Sequence, residues 1–398
     1  MRRGVLVAAA AAAALSLLAA GPAAASSNLA VGITDEAALL WGPTAKTIAT
    51  YRRLHVQVAR MDLYWGGQLG VANAKPRHPA DPADSAYDWS IYDLLVRHLA
   101  AAGIKVIFTI YGTPSWANGG RARNVAPRNP ADLRAFAEAA ARRYSGRFVT
   151  GGIRLPAVSD WLAWNEPNNP IFLAPQYRRV HGRWTIASAE AYARICNAVY
   201  RGVHATRIPG ERVGCGVTAP RGNNDPASSR PSVAPLVFLR AVKKDGLRTF
   251  DAWADHPYPA YPAQTPAQGD AAGGAVELGD IDTLIRLVTT LYGPKPIWVT
   301  EYGYETNPPD AFFGVSWRTQ AQYLTQAFAI ARRNPRIDMM LWYLLKDDSS
   351  PSGWQSGLET AAGVRKPSFA AFARIALAQE RRAFAVRRRP SSSGTAGS

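Results

Sequence analysis

Two hydrophobic rhythms take turns along the chain. Short, strongly apolar runs read as strands, at Leu29–Thr34, Val56–Trp65, Ile104–Ile110, the run opening at Trp161, Arg212–Thr218, Phe250–His256, the run ending at Glu301, and Ile337–Tyr343. Between them, apolar residues recur at helical spacing over Thr44–Leu54, Ile91–Ala102, Ser188–Ala205, Ser232–Lys244, Ile281–Tyr292, Trp317–Arg333 and Pro367–Glu380. A further helix opens at Asn129-Pro130, a cap followed by a proline at the first helical position, and runs to about Ser145. Ser90 is expected to cap the helix that begins at Ile91.

Strands three to eight are apolar enough to be covered on both faces, and eight strands alternate with eight helices. This predicts an α/β fold, a single-domain (β/α)8 TIM barrel. The segments after strands two, four, six, seven and eight are long or rich in aromatics, which marks the C-terminal face as the functional one. A doubly wound open sheet would need a phosphate-binding glycine turn after an early strand, and none is present.

Both ends differ from this pattern. Residues 1–25 combine Arg2 and Arg3, an Ala/Leu run, Pro22 and the small residues Ala23-Ala24-Ala25, the layout of a secretory signal peptide. Cleavage after Ala25 and export to the extracellular space are expected, with no stable membrane insertion afterwards. Residues 26–380 are expected to form the barrel, and 381–398 a disordered basic tail rich in Ser and Gly.

The formal charge of +17 loses force as a nucleic-acid signal once it is located. Seven of those charges lie in the two acid-free ends, and the remaining +10 is scattered arginine with no basic stripe interleaved with aromatics. Loose, salt-sensitive attraction to anionic cell-surface polymers fits better. The two cysteines, Cys196 and Cys215, are too few for a structural zinc site, and the six histidines lack metal-ligand spacing. In an exported protein the two cysteines either pair or stay as buried thiols.

Candidate chemistry lies at strand ends. Glu166, in Trp164-Asn165-Glu166-Pro167-Asn168, and Glu301, in Thr300-Glu301-Tyr302-Gly303, each terminate an apolar strand, so a barrel would bring them to one mouth. Two carboxyl groups across a sugar ring can hydrolyse a glycosidic bond if one is protonated and the other ionised. Arg60 shares a strand face with Val58, Asp62 and Tyr64 and could hold Glu301 ionised, unless it forms only a structural pair with Asp62. Tyr258 could donate its hydroxyl to Glu301, and Asn165 could bind a sugar hydroxyl. Trp116, Trp342 and Tyr343, at strand exits, are candidate stacking platforms for sugar C–H faces.

The motif around Glu166 resembles the acid/base motif of the retaining glycoside hydrolases of clan A, and Glu301-Tyr302-Gly303 is similar to that clan's nucleophile strand. His256-x-Tyr258 and Trp342 also match positions the clan uses at its active site. With Tyr87-Asp88-Trp89, the chain looks most like family 39, with the family 5 cellulase-like group as a close rival. The predicted barrel leaves no room for the β-sandwich module of typical family 39 members, so their exo-xylosidase specificity is not carried over.

The resemblance implies Glu301 as nucleophile, Glu166 as acid/base, a carbohydrate substrate, no metal or cofactor, and carboxyl groups about 5 to 5.5 Å apart. A monomer is the default. Two other readings use the same residues: a non-catalytic carbohydrate-binding barrel, and a metal-dependent hydrolase built on His256 with Asp251 or Asp255.

Overall fold

The computed structural model describes residue 26 and residues 29–270 and 272–387. The expected signal segment 1–25 and the last part of the expected tail lie outside the described residues. Eight parallel strands close into a barrel: β1 Ala30–Thr34, β2 Val58–Tyr64, β3 Lys105–Tyr111, β4 Asp160–Ala163, β5 Arg212–Thr218, β6 Ala252–Asp255, β7 Ile297–Tyr302 and β8 Ile337–Tyr343. Each pairs with its sequence neighbours, and β8 closes on β1 through Ala30–Met339 to Thr34–Tyr343. The outer ring is α1 Thr44–Arg53, α2 Ser90–Ala101, α3 Pro130–Arg143, α4 Ala187–Ala205, α5 Pro235–Lys244, α6 Ile281–Tyr292, α7 Trp317–Arg333 and α8 Pro367–Arg387.

The core has two shells. One is the thick layer between strands and helices. The other fills the barrel, where Val58, Ile107, Leu162, Ala252, Ala254, Trp298, Met339 and Leu341 pack together. Trp298 occupies so much of that space that a Cβ on Gly214 would stand 2.8 Å from its ring and 2.7 Å from Leu162, so β5 needs glycine there. Below Trp298, Arg212 closes the N-terminal end, with Nε 2.9 Å from Asp160 and the guanidinium 5.0 Å from the indole.

Helix ends follow local chemistry. Asn129 accepts the Ala131 N–H ahead of Pro130, and Ser316 accepts the Thr319 N–H at the start of α7. Ser90 does not cap α2: it is the first helical residue, and the Asp88 carboxylate accepts its N–H at 3.0 Å. A carboxylate two residues upstream is the stronger acceptor and moves the helix start back by one position. Two small hairpins, Val149–Arg154 and Tyr177–Ile186, stand where connecting loops were expected. The last helix continues to Arg387, so residues 381–387 belong to α8 rather than to a disordered tail. Alanine and long-chain residues there carry good helix propensity, which the basic charge masked. Among the described residues no helix is long and apolar enough to cross a membrane.

Cys196 on α4 and Cys215 on β5 form a disulfide with Cα atoms 6.0 Å apart, fastening helix to strand inside the outer core. Cys215 faces outward while Val217 faces the barrel interior, because Gly216 (φ 92°) and Val217 (φ 49°) break the alternation at a register shift against β6. The bridge spans 19 positions, for which loop-closure entropy gives about 3 kcal/mol. Replacing both cysteines by alanine should lower unfolding stability by about that amount in guanidinium titrations. An unchanged midpoint and slope would show that the bridge adds nothing.

Candidate active site

Strict alternation along β7 would put Glu301 on the outer face with Val299. The pairing register with β8 shifts between Val299 and Tyr302, and Thr300 and Glu301 both turn into the barrel mouth while Tyr302 returns to the outer core. Across the mouth, β4 ends in two residues with left-handed backbone, Trp164 (φ 72°) and Glu166 (φ 35°). Such conformations are costly for residues with a side chain and persist only where the surroundings hold them. Here Trp164 N donates to Ile110 O and Glu166 N to Val217 O, each at 2.9 Å, and the Trp164 indole donates to Phe172 O at 2.7 Å.

The two glutamates converge as the sequence predicts. Carboxylate oxygens of Glu166 and Glu301 and a ring nitrogen of His256 all lie within 4.8 Å of one another. His256 Nδ1 is 3.0 Å from Glu166 Oε1 and 3.5 Å from Glu301 Oε2, and its Nε2 meets the Thr300 hydroxyl at 3.1 Å. Asn169 donates to the other Glu166 oxygen at 3.1 Å.

Arg60 is 2% exposed and organises the base of the mouth. Its Nη1 donates to Glu301 Oε1, its Nη2 to Asn165 Oδ1 at 2.7 Å, and its Nε to Thr109 Oγ1 at 2.8 Å. Asp62 stands farther off, 3.8 Å from Nη2, so the Arg60–Asp62 pair is secondary to the bond with Glu301. Tyr258 donates to Glu301 Oε2 at 3.0 Å, and burial keeps that hydroxyl protonated by pushing it well above the usual phenol range. Burial pushes the Glu301 carboxyl up, but His256 and the Arg60 guanidinium, helped by Tyr258, outweigh it and hold Glu301 below the usual carboxylate range.

Arg60, Asn165, Glu166, Asn169, Tyr258 and Glu301 line a cleft of about 640 Å³, whereas His256 is fully buried. Other walls of the cleft include Glu36 and Trp41 from the turn after β1, Asp62 and Tyr64 on β2, Arg123, Tyr343 at the end of β8, and Asp348 and Trp354 after it. The Tyr64 hydroxyl donates to Glu36. Burial and the neighbouring Asp62 push the Glu36 carboxyl to about 8, and burial pushes Asp62 to about 6 despite Arg60. Asp62 and Tyr64 share the period-two face of Arg60 and were legible on that ground. Glu36, Trp41, Arg123 and Trp354 come from irregular segments and carry no periodic signal.

Trp116 and Trp342 do not reach the cleft. Trp116 donates its indole N–H to Ala72 O at 2.8 Å and packs edge-on against Trp65, because a short helical turn at Ser115–Asn118 swings it behind the wall. Trp342 faces the outer core, fully buried, and donates to Ser356 O at 2.9 Å. The exposed aromatic rings at the cleft are instead Trp354, with its ring centroid 5.3 Å from both Tyr258 and Tyr343, and Trp41.

Among the described residues, Glu166, His256 and Glu301 are the one group with ligand atoms close enough to share a metal ion. The chemistry of the set does not fit one well, since Arg60 already places a fixed positive charge on Glu301. Asp251 and Asp255 do not join His256. Asp251 pairs with His204 at 2.8 Å, and Asp255 is buried against the Thr218 hydroxyl.

No protein-family model matches the chain, and no curated protein matches its sequence. Solved structures sharing the fold include a glucosidase from Croceicoccus marinus, with a TM-score of 0.63 at 16% identity over 90% of this chain and 69% of that one. A family 39 glycoside hydrolase from the gut symbiont Bacteroides cellulosilyticus WH2 follows with a TM-score of 0.60 at 21% identity, over 89% of this chain and 64% of that one. A β-glucosidase from Exiguobacterium marinum gives 0.58 at 15% identity, over 89% of this chain and 98% of that one. At these identities the likeness is one of fold.

Replacing Arg60 by methionine should leave Glu301 buried without its cation and cost about 3–5 kcal/mol of stability at pH 7. A depressed carboxyl stabilises the fold above its unfolded pKa and loses that contribution as pH falls through the folded value, so the difference from wild type should shrink on acidification below about pH 4.5. Urea titrations at pH 7 and about pH 3 measure it. An equal loss at both pH values would show that Arg60 acts only through packing.

Proposed function

We propose that the protein is a retaining β-glycosidase, most like family 39, that is exported and hydrolyses O-glycosidic bonds of oligo- or polysaccharides. The observation that carries this is the pair of carboxyl groups whose oxygens approach within 4.8 Å, one of them held by a guanidinium and a phenol. Two carboxyl groups brought together in this way, one of them held ionised, suit direct attack by that carboxylate on the anomeric carbon. The glycosidases that share the fold support the same class.

In this reading Glu301 Oε attacks the anomeric carbon as the bond to the leaving oxygen breaks, and Glu166 gives that oxygen its proton. Glu166, which makes no contact with Arg60 among the bonds described, is the group that brings the proton. A water then attacks the glycosyl-Glu301 ester, Glu166 takes its proton, and Glu301 leaves as carboxylate with net retention. In the same reading His256, bridging both carboxyl groups, positions them, and the Asn165 amide, whose oxygen accepts from Arg60, donates to a sugar hydroxyl.

Glu301→Ala should reduce turnover of an aryl β-glycoside by on the order of 10⁴-fold or more. Added azide should restore part of it and yield the inverted glycosyl azide, because the cavity left by the side chain admits the anion. Full activity in Glu301→Ala would end the proposal. Saturable oligosaccharide binding by the wild type without release of reducing ends would favour the non-catalytic binding barrel.

A further inference from the structure

If the glycosidase reading holds, the mouth must also decide whether a sugar chain is cut from its end or within. The acid Glu166 has to stand beside the leaving oxygen, so the leaving portion of a substrate departs over the segments that follow β4 and β5. Those segments present Asn169 and Ile171, then Pro220 and Arg221. A wall there would make a dead-end pocket.

Here that border is the Arg221 side chain, shared by two hollows. Arg221 lines the catalytic cleft and also a second groove of about 620 Å³ beyond it, between the segments after β5 and β6. Its guanidinium is held in place, with Nη1 3.2 Å from both Tyr258 O and Glu277 Oε1, and Nη2 2.9 Å from Pro259 O. Glu277 is 2% exposed and also accepts the Asp270 N–H at 2.8 Å, so the anchor is built into the loop rather than lying on it. The second groove offers one broad apolar face, Tyr261, which is 53% exposed, among the polar side chains of Gln268, Asp270 and Glu277. A flat aromatic beside amide and carboxylate groups is the surface that pyranose rings bind.

The opposite side of the catalytic pair is open as well. Trp41 is 57% exposed and Trp354 41% exposed, and both line the cleft on the side of β1 and β8. Aromatic surface therefore lies on both sides of Glu166 and Glu301. We propose that the protein cleaves polysaccharides internally, with the chain crossing the mouth from Trp41 and Trp354 to the groove beyond Arg221, where Tyr261 stacks against a sugar of the leaving portion.

Digestion of soluble β-glucan, xylan, galactan and hyaluronan, followed by viscometry, reducing-end assay and chromatography, tests this beside p-nitrophenyl β-glycosides of the same sugars. At least one polymer should lose viscosity steeply for few new reducing ends and release oligosaccharides before monosaccharide. Tyr261→Ala should lower kcat/KM on that polymer about fivefold more than on the aryl glycoside. Release of monosaccharide alone, cleavage of aryl glycosides with every polymer untouched, or an equal effect of Tyr261→Ala on both substrates would overturn the open-cleft proposal and leave the glycosidase reading standing. Failure on every glycoside, short or long, would remove both.

Discussion

One buried guanidinium ties the functional end of this barrel together. Arg60 rises from β2 to the base of the mouth, where it is itself almost wholly shielded from water, and bonds to Thr109 on β3, Asn165 after β4 and Glu301 on β7. A charge in that position is tolerable only because a second charge and two neutral acceptors meet it. The same contacts fix the carboxylate that the proposed reaction needs ionised. Structure and chemistry therefore share one constraint: the barrel cannot lose Arg60 without stranding Glu301.

The remaining parts supply position. Glu301 enters the mouth through a register slip in β7, and Glu166 through a backbone conformation that its side chain disfavours, held by bonds to β3 and β5. These departures from regular strand geometry occur at the ends that carry the two carboxyl groups, while the barrel below them packs regularly around Trp298. His256 spans the gap between the carboxyl groups, and Thr300 braces the far side of its ring. The Asn-Glu-Pro segment thus owes its geometry to the two strands that flank it.

Much of this was legible in the residues. Alternating apolar runs and helical stretches marked the strands and helices of the barrel, and Arg212–Thr218, Ile281–Tyr292, Trp317–Arg333 and Ile337–Tyr343 keep their predicted limits. That Glu166 and Glu301 end at one mouth followed from their strand ends, but the inward turn of Glu301 rests on a register slip that the sequence does not show; the contacts of Arg60 and Tyr258 with Glu301 followed from face and position. What periodicity could not reach were directions set by irregular backbone. Trp116 turns away on one helical turn, and Trp354 and Glu36 arrive on loops. Trp342 is the opposite case: it obeys the strand alternation and faces outward, so period two alone excludes it from the mouth. The pairing of Cys196 with Cys215 depended on which way a bulged strand points, and only the fold decides that.

The central claim, that Glu301 is a nucleophile and the reaction a double displacement, is tested most directly by the anomeric configuration of the first product. Proton NMR of a β-glycoside hydrolysis, followed from the first minutes, should show the β-anomer appearing first and the α-anomer growing only by later mutarotation. Initial appearance of the α-anomer would mean that water attacks directly, and would contradict the account.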